Sequence, residues 1–341
     1  MTVFKLVGVL LRSSFSPRRL LGGDVKKNPA KAILLGVAIV YALGAVLFSL
    51  GYLFMNLGQI LNGVGLIHVL LMYSFVYGLF MSILFALIRA NGSIFQYRDY
   101  EILAPLPIPA FTVLMAKMIV MMIFIYISMI ITVGPVMFAY YWQVGFDIVS
   151  ILFFLIAFIV MPLLPVVIFS ILSLLISALT AKLHRSKIFT TILLLVLTVG
   201  LMIASFAMNT SAENPLLSQQ HFIEGFSGIY LPIQWYVDAI ATHNVLSLLY
   251  LIFVSVVPFF GFLYLIRNLV VKTNQKGLAT YTKKHRKAAK SVVRPTLQTL
   301  LMKEWKKFIS NPMYTMNAGI GPLLSLLFGA AALIFRSQIA D

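Results

Sequence analysis

Seven stretches of this chain stay apolar for about 20 residues or more, free of acid and nearly free of base, a pattern that the core of a water-soluble domain does not absorb. They cover 32–55, 66–87, 113–140, 148–180, 188–208, 245–265 and 318–335. Lipid offers no partner to an unpaired backbone group, so each stretch that crosses a membrane must be a helix. Composition agrees, with 61% hydrophobic and only 10% charged residues, where soluble domains carry about 25% charged. The fold class is all-α: a polytopic membrane protein with about six transmembrane helices plus the start of a second repeat, the seventh span. Proline removes a helix hydrogen bond, so Gly134 with Pro135, and Pro162 with Pro165, are expected to kink the third and fourth spans. The fourth stretch is also too long for one straight crossing.

Charge fixes the expected orientation. Lysine and arginine collect in residues 1–31, at Arg89, Arg98 and Lys117, at Lys182, Arg185 and Lys187, and from Arg267 to Lys307, while 56–65, 141–147 and 209–244 hold none. The positive-inside rule then places the N-terminus in the cytoplasm, with Arg336 the one basic residue of 26 on the far side. A net charge of +17 and the run "KKHRKAAK" at 283–290 would suit nucleic acid. The basic residues follow the membrane topology instead, and no aromatic groove accompanies them, so anionic lipid is the expected partner and nucleic acid is not.

Chemistry-bearing patterns are scarce. The sequence lacks a G-x-x-x-x-G-K-[ST] phosphate loop, a His-Glu-x-x-His pair and a Gly-x-Ser-x-Gly elbow. It has no cysteine, hence no disulfide, thiolate metal site or cysteine nucleophile. Within the spans the ionisable residues are His68 and Lys117, each near an end, where a lysine ordinarily snorkels to the headgroups. Ion-coupled carriers keep acids or histidines near midplane, and this chain does not. An intramembrane enzyme would need a convergent polar site that the spans do not supply. No catalytic, cofactor-binding or metal-binding residue is assigned, and any energy for transport has to come from a partner.

Residues 96–109, "QYRDYEILAPLPIP", stand between the second and third spans and carry two of only nine acids, Asp99 and Glu101. "RDYEIL" suits a short helix with its acids toward the N-terminal end, and "PLPIP" holds the chain extended. A rigid element there is either a lever on the third span or a tight proline-capped connector. The longer stretch "YRDYEILAPLPIPAFTVLMAK", 97–117, resembles the acidic-aromatic, Leu-Pro-Ile, then Lys pattern after the second span in permeases of the bacterial ABC-2 exporter family. That resemblance implies a coupling helix docked on an ATPase, with Asp99, Tyr100, Glu101, Leu103, Leu106 and Pro107 as contact or shaping residues and Lys117 at the membrane boundary. It implies ATP on the partner subunit, two ATPase copies, and a second permease half or a homodimer. The six-span order extends the resemblance over 1–266.

The domain plan is a cytoplasmic amphipathic segment at 1–31, a six-helix transmembrane domain at 32–266 with coupling segment 96–109 and outer loop 209–244, a basic linker and amphipathic helix at 267–312, and the seventh span at 318–335. Lys5 and Arg12 in "VFKLVGVLLRSSF" are expected at the membrane surface, as are Trp305 and Lys306 in "LQTLLMKEWKKFISNP". "YLPIQWYVDAI", 230–240, resembles the Pro–Trp element of the family's outer loop, and Trp235 and Tyr236 equally suit interfacial aromatics. Both amphipathic segments end at Asn-Pro, at Asn28 and at Asn311, which suggests a repeat and a truncated or split permease. The expected function is thus the membrane subunit of an ATP-driven exporter in a bacterial plasma membrane, moving an amphipathic substrate by alternating access. The alternative is a non-transporting scaffold or immunity-type protein that binds peptide or lipid. Because the chain has no native thiol, a single Ser218→Cys should react with an impermeant maleimide from the outer side only; labelling from the cytoplasmic side alone would reverse the topology.

Overall fold

The computed structural model describes residues 3–14, 29–89, 108–181, 225, 228, 230–285, 295–310, 321, 322 and 325. All regular structure among them is helical. The elements are α1 (Val3–Ser14), α2 (Pro29–Gly63), α3 (Val69–Arg89), α4 (Ala110–Val144), α5 (Ile148–Val160), α6 (Leu163–Ala181), α7 (Pro232–Thr242), α8 (Val245–His285) and α9 (Thr296–Ser310). Five helical stretches among the described residues are long and apolar enough to cross a membrane: Ile33–Gly63, Val69–Leu87, Phe111–Val144, Ile148–Leu175 and Val245–Arg267. The expected span at 188–208 lies outside the described residues. Of 318–335 only Gly321, Pro322 and Ser325 are described, and they are helical.

Several ends differ from the hydropathy pattern. α2 continues through Asn56, Gln59 and Asn62 to Gly63, because amide side chains end an apolar run without ending a helix. For the same reason α8 runs on through its basic segment to His285, 41 residues in all. His68 falls in the turn before α3, where its carbonyl accepts from the Leu71 and Met72 amides at 3.0 and 3.3 Å. The prolines act as their positions dictate. Pro135 is held within a continuous α4, whereas the fourth run breaks at Met161 and Pro162 into α5 and α6.

By contacts the chain divides into two compact units, Met1–Ser170 with Gln220–Gly277, and Ile171–Gln219 with Leu278–Asp341. In the first, α4 is the central element, packed against α1, α2 and α3. Its buried side chains are unusually rich in methionine: Met118, Met121, Met122, Met129 and Met137. α2 meets this core through its second half, where Phe54 and Leu61 are buried and Phe54 stands edge-on to Tyr77 of α3 at 5.6 Å. In the second unit, α9 exposes Leu297, Leu300, Leu301 and Trp305.

Two contacts fix how α3, α4 and the broken fourth run fit together. At Gly78 of α3 a Cβ would collide with Met161 Sδ and come within 3.0 Å of Met129 Cε, so glycine lets both methionine ends pack here and a larger residue requires them to shift. Two residues before the break, the Tyr126 hydroxyl of α4 donates to the Ile159 carbonyl at 2.5 Å. A carbonyl near a helix end in apolar surroundings needs such a donor. Gly78→Leu should lower stability in detergent by about 1–3 kcal/mol, the usual cost of overfilling a packed site. Adding Met161→Ala to that variant should recover part of the loss, measured by thermal unfolding.

Candidate functional site

Two clusters, one at each end of α4, hold the features from which a function can be argued. They are separated along the helix by the residues from Ala116 to Met137, about 30 Å at 1.5 Å per residue, which matches the hydrocarbon thickness of a bilayer.

At the N-terminal end of α4 sits α1. Its sequence places Val3, Leu6, Val7, Leu10 and Leu11 on one face at helical spacing, and that face is buried on α4. Leu6 and Val7 pack with Val113 and Ala116, and Ile119, Val120 and Ile123 extend the seam. The apolar face of α1 is thereby taken up by the protein, and the opposite face, with Lys5 and Arg12, is exposed. Ile108, the penultimate residue of the 96–109 segment, packs into the same cluster. Pro109 then caps α4 in an extended conformation (φ −55°, ψ 136°), and its carbonyl accepts from the Val113 amide at 3.2 Å. Asp99, Tyr100, Glu101, Leu103, Leu106 and Pro107 lie outside the described residues. Lys117 differs from expectation, being 7% exposed within the bundle and not extended to a surface.

At the C-terminal end sits α7. Pro232 opens it, and Pro232, Ile233, Tyr236, Val237, Ala239 and Ile240 are buried, one face of an amphipathic helix set against α3 and α5. Tyr236 is fully buried and Trp235 is only partly so, resting on Tyr250 of α8 at 5.7 Å between ring centroids. The structure therefore separates two residues that the sequence treats alike. The Tyr236 hydroxyl lies 2.9 Å from Ser74 Oγ of α3 and 3.6 Å from Met137 Sδ of α4. Ser74 donates its own proton to the Leu71 carbonyl at 2.7 Å, so the tyrosine supplies the proton between them. The Tyr236 ring also stands edge-on to Phe75 at 5.2 Å. Burial pushes the phenol above its ordinary range and keeps it neutral.

A second set of bonds closes the same end. Ser150 Oγ donates to the Ile240 carbonyl at 3.1 Å and receives the Tyr141 hydroxyl at 3.2 Å, which ties α4, α5 and α7 together. Asp147 caps α5 by accepting the Ser150 amide at 2.8 Å, and the same carboxylate oxygen meets His243 Nε2 at 2.8 Å. The Ser150 amide, then the Val149 amide and the His243 contact, hold this carboxyl below its usual range. His243 itself ends α7 in the left-handed region (φ 55°), its amide donating to the Asp238 carbonyl. Asn244 follows and caps α8 through the Leu246 and Ser247 amides at 3.0 and 3.3 Å. Ser74 and Tyr236 are 162 positions apart in the sequence, and no local pattern links them; an aromatic one turn after a helix-opening proline was the available hint.

Among the described residues no cluster of three or more His, Asp or Glu side chains could hold a metal ion. Comparison with protein-family models, with curated proteins and with solved structures finds no match to this chain. The arrangement can therefore be read only from its own geometry: a helix pinned across one end of the bundle, and a helix fastened to the other beside a proline-rich segment. Tyr236→Ala should cost about 3–5 kcal/mol, as for other large buried aromatics. Tyr236→Phe should cost about 1 kcal/mol, the net value of one hydrogen bond. Both are read from unfolding in detergent, and an unchanged stability in Tyr236→Phe would mean that the hydroxyl contributes nothing.

Proposed function

We propose that this chain is the membrane-spanning permease subunit of an ATP-driven exporter of the ABC-2 type. On this reading it moves an amphipathic peptide, lipid or drug-like substrate by alternating access across a bacterial plasma membrane, with its N-terminus in the cytoplasm. ATP is hydrolysed on a separate cytoplasmic ATPase, present in two copies. A second permease half or a second copy of this chain completes the pathway, and Trp305 and Lys306 of α9 rest at the membrane surface with Lys5 and Arg12.

One observation carries the proposal. Ile108 belongs to the apolar cluster that joins α1 to the first turns of α4, directly after the segment whose residues Asp99 to Pro107 resemble a coupling element. A push on that segment would be delivered to α4 and α1 together, because close-packed side chains transmit displacement with little slack. On this reading the pinned α7 at the opposite end of α4 responds through the contact of Tyr236 with Met137.

The test separates docking from transmission. Asp99 and Glu101 changed together to Lys should weaken co-purification of the ATPase at least tenfold, since reversing charges at a partly shielded contact removes on the order of 2 kcal/mol or more. Ile108→Ala should leave co-purification intact and lower export. Normal insertion with unchanged partner binding and export in both variants would reject the coupling role, and robust ATP hydrolysis by the isolated chain would reject the assignment as a permease subunit.

A further inference from the structure

The exposed face of α1 has an order that packing on α4 does not require. Arranged around the helix, it reads Phe4, Gly8, Arg12, Lys5, Val9, with Ser13 beyond Val9. Phe4 is 81% and Val9 56% exposed. The two cations therefore form a central stripe with an exposed apolar residue on each flank. α1 contains no acid, and among the described residues neither Lys5 nor Arg12 forms an ion pair.

Gly8 falls between them, three residues after Lys5 and four before Arg12, the spacings that put side chains in one row. A Cβ at Gly8 would meet nothing within 4 Å, and its backbone is ordinary helix, so neither crowding nor conformation demands glycine there. Glycine in a helix interior is a destabilising choice. What it provides is bare backbone between two long cationic side chains about 10 Å apart along the axis. A phosphate group can approach there more closely than past any side chain.

The neighbouring helix identifies the occupant. α1 is seated on Val113 to Ile123, inside the Phe111–Val144 stretch that is built to lie in a bilayer. Its free flank therefore borders lipid, and Phe4 and Val9 suit acyl chains while the Lys5 and Arg12 stems carry their charges to the headgroups. We propose that Lys5, Gly8 and Arg12 form a binding site for the headgroup phosphate of an anionic phospholipid, on a helix whose other face holds the start of α4. This deepens the membrane-surface role given above to Lys5 and Arg12, and it holds whether or not the chain is an exporter.

The test uses the full chain in nanodiscs, with the unique thiol of Phe4→Cys carrying a bimane fluorophore. Brominated phosphatidylglycerol and brominated phosphatidylcholine are compared as quenchers at equal mole fraction in otherwise identical bilayers. The anionic quencher should be at least about twofold more effective, and the difference should shrink in high salt, as expected for two cations at a charged surface. Lys5→Gln with Arg12→Gln should equalise the quenchers while quenching itself persists. Gly8→Leu should reduce the preference with both charges retained. Absence of quenching by either lipid would overturn the membrane-surface role and the site together. Equal quenching of the otherwise native chain would overturn the site alone, as would a preference that survives either the paired neutralisation or Gly8→Leu. These substitutions fall on exposed positions, and normal insertion is checked by size-exclusion of the reconstituted disc.

Discussion

Once two apolar helices are both in lipid, the hydrophobic effect gives them no reason to touch, and cohesion comes from close packing and interhelical hydrogen bonds. In this bundle both are concentrated on α4. Val113 and Ala116 seat α1, Met129 fits the notch at Gly78, Tyr126 reaches Ile159 on α5, and Met137 and Tyr141 meet α7 and Ser150. Each neighbour is held by a different part of the same helix. Disturbing α4 at one place therefore alters contacts that belong to several elements.

The polar groups inside the bundle follow one rule. Ser82 returns its proton to the Gly78 carbonyl at 2.7 Å and Ser74 to Leu71, so these hydroxyls are satisfied within their own helix. What is left over, the oxygen of Ser74, serves as an acceptor for a tyrosine from α7. Ser150 spends its proton on Ile240 and its lone pair on Tyr141 in the same way. Bonds between helices are thus built from acceptor capacity that local bonding does not use, and they add specificity without adding a buried charge.

Much of this architecture was legible in the sequence because the bilayer imposes a length on apolar runs. The cores of α2, α3, α4, α5 with α6, and α8 all coincide with runs that can be read directly, and the break at Pro162 falls at a proline in the run that is too long for one straight crossing, although Pro135 shows that a missing amide alone does not end a helix. Helix ends were less legible: hydropathy reports where the membrane stops, whereas α2 stops only where backbone hydrogen bonding does and α8 runs well past its apolar stretch. Pairing was not legible at all. Nothing local marks Tyr236 over Trp235 as the buried anchor, since that depends on Ser74 being opposite, and nothing local predicts that Lys117 is enclosed. The basic amphipathic pattern of α1 was evident, yet a protein helix and a lipid surface accept the same apolar face, and the sequence could not say which had it.

The methionines along α4 bear on how this bundle can deform. A methionine side chain is unbranched and passes between rotamers cheaply, and its sulfur is soft enough to lie against many surfaces. Leucine or valine in those places would define one register, and leaving it would open voids. Met118, Met121, Met122, Met129 and Met137, with Met161 across from Gly78, instead give α4 a lubricated surface. Rotation or a small axial slip of this helix can be followed by its neighbours through rotamer changes alone, so the rigid bonds at its two ends set where it stops and the sulfur-lined middle sets how easily it moves.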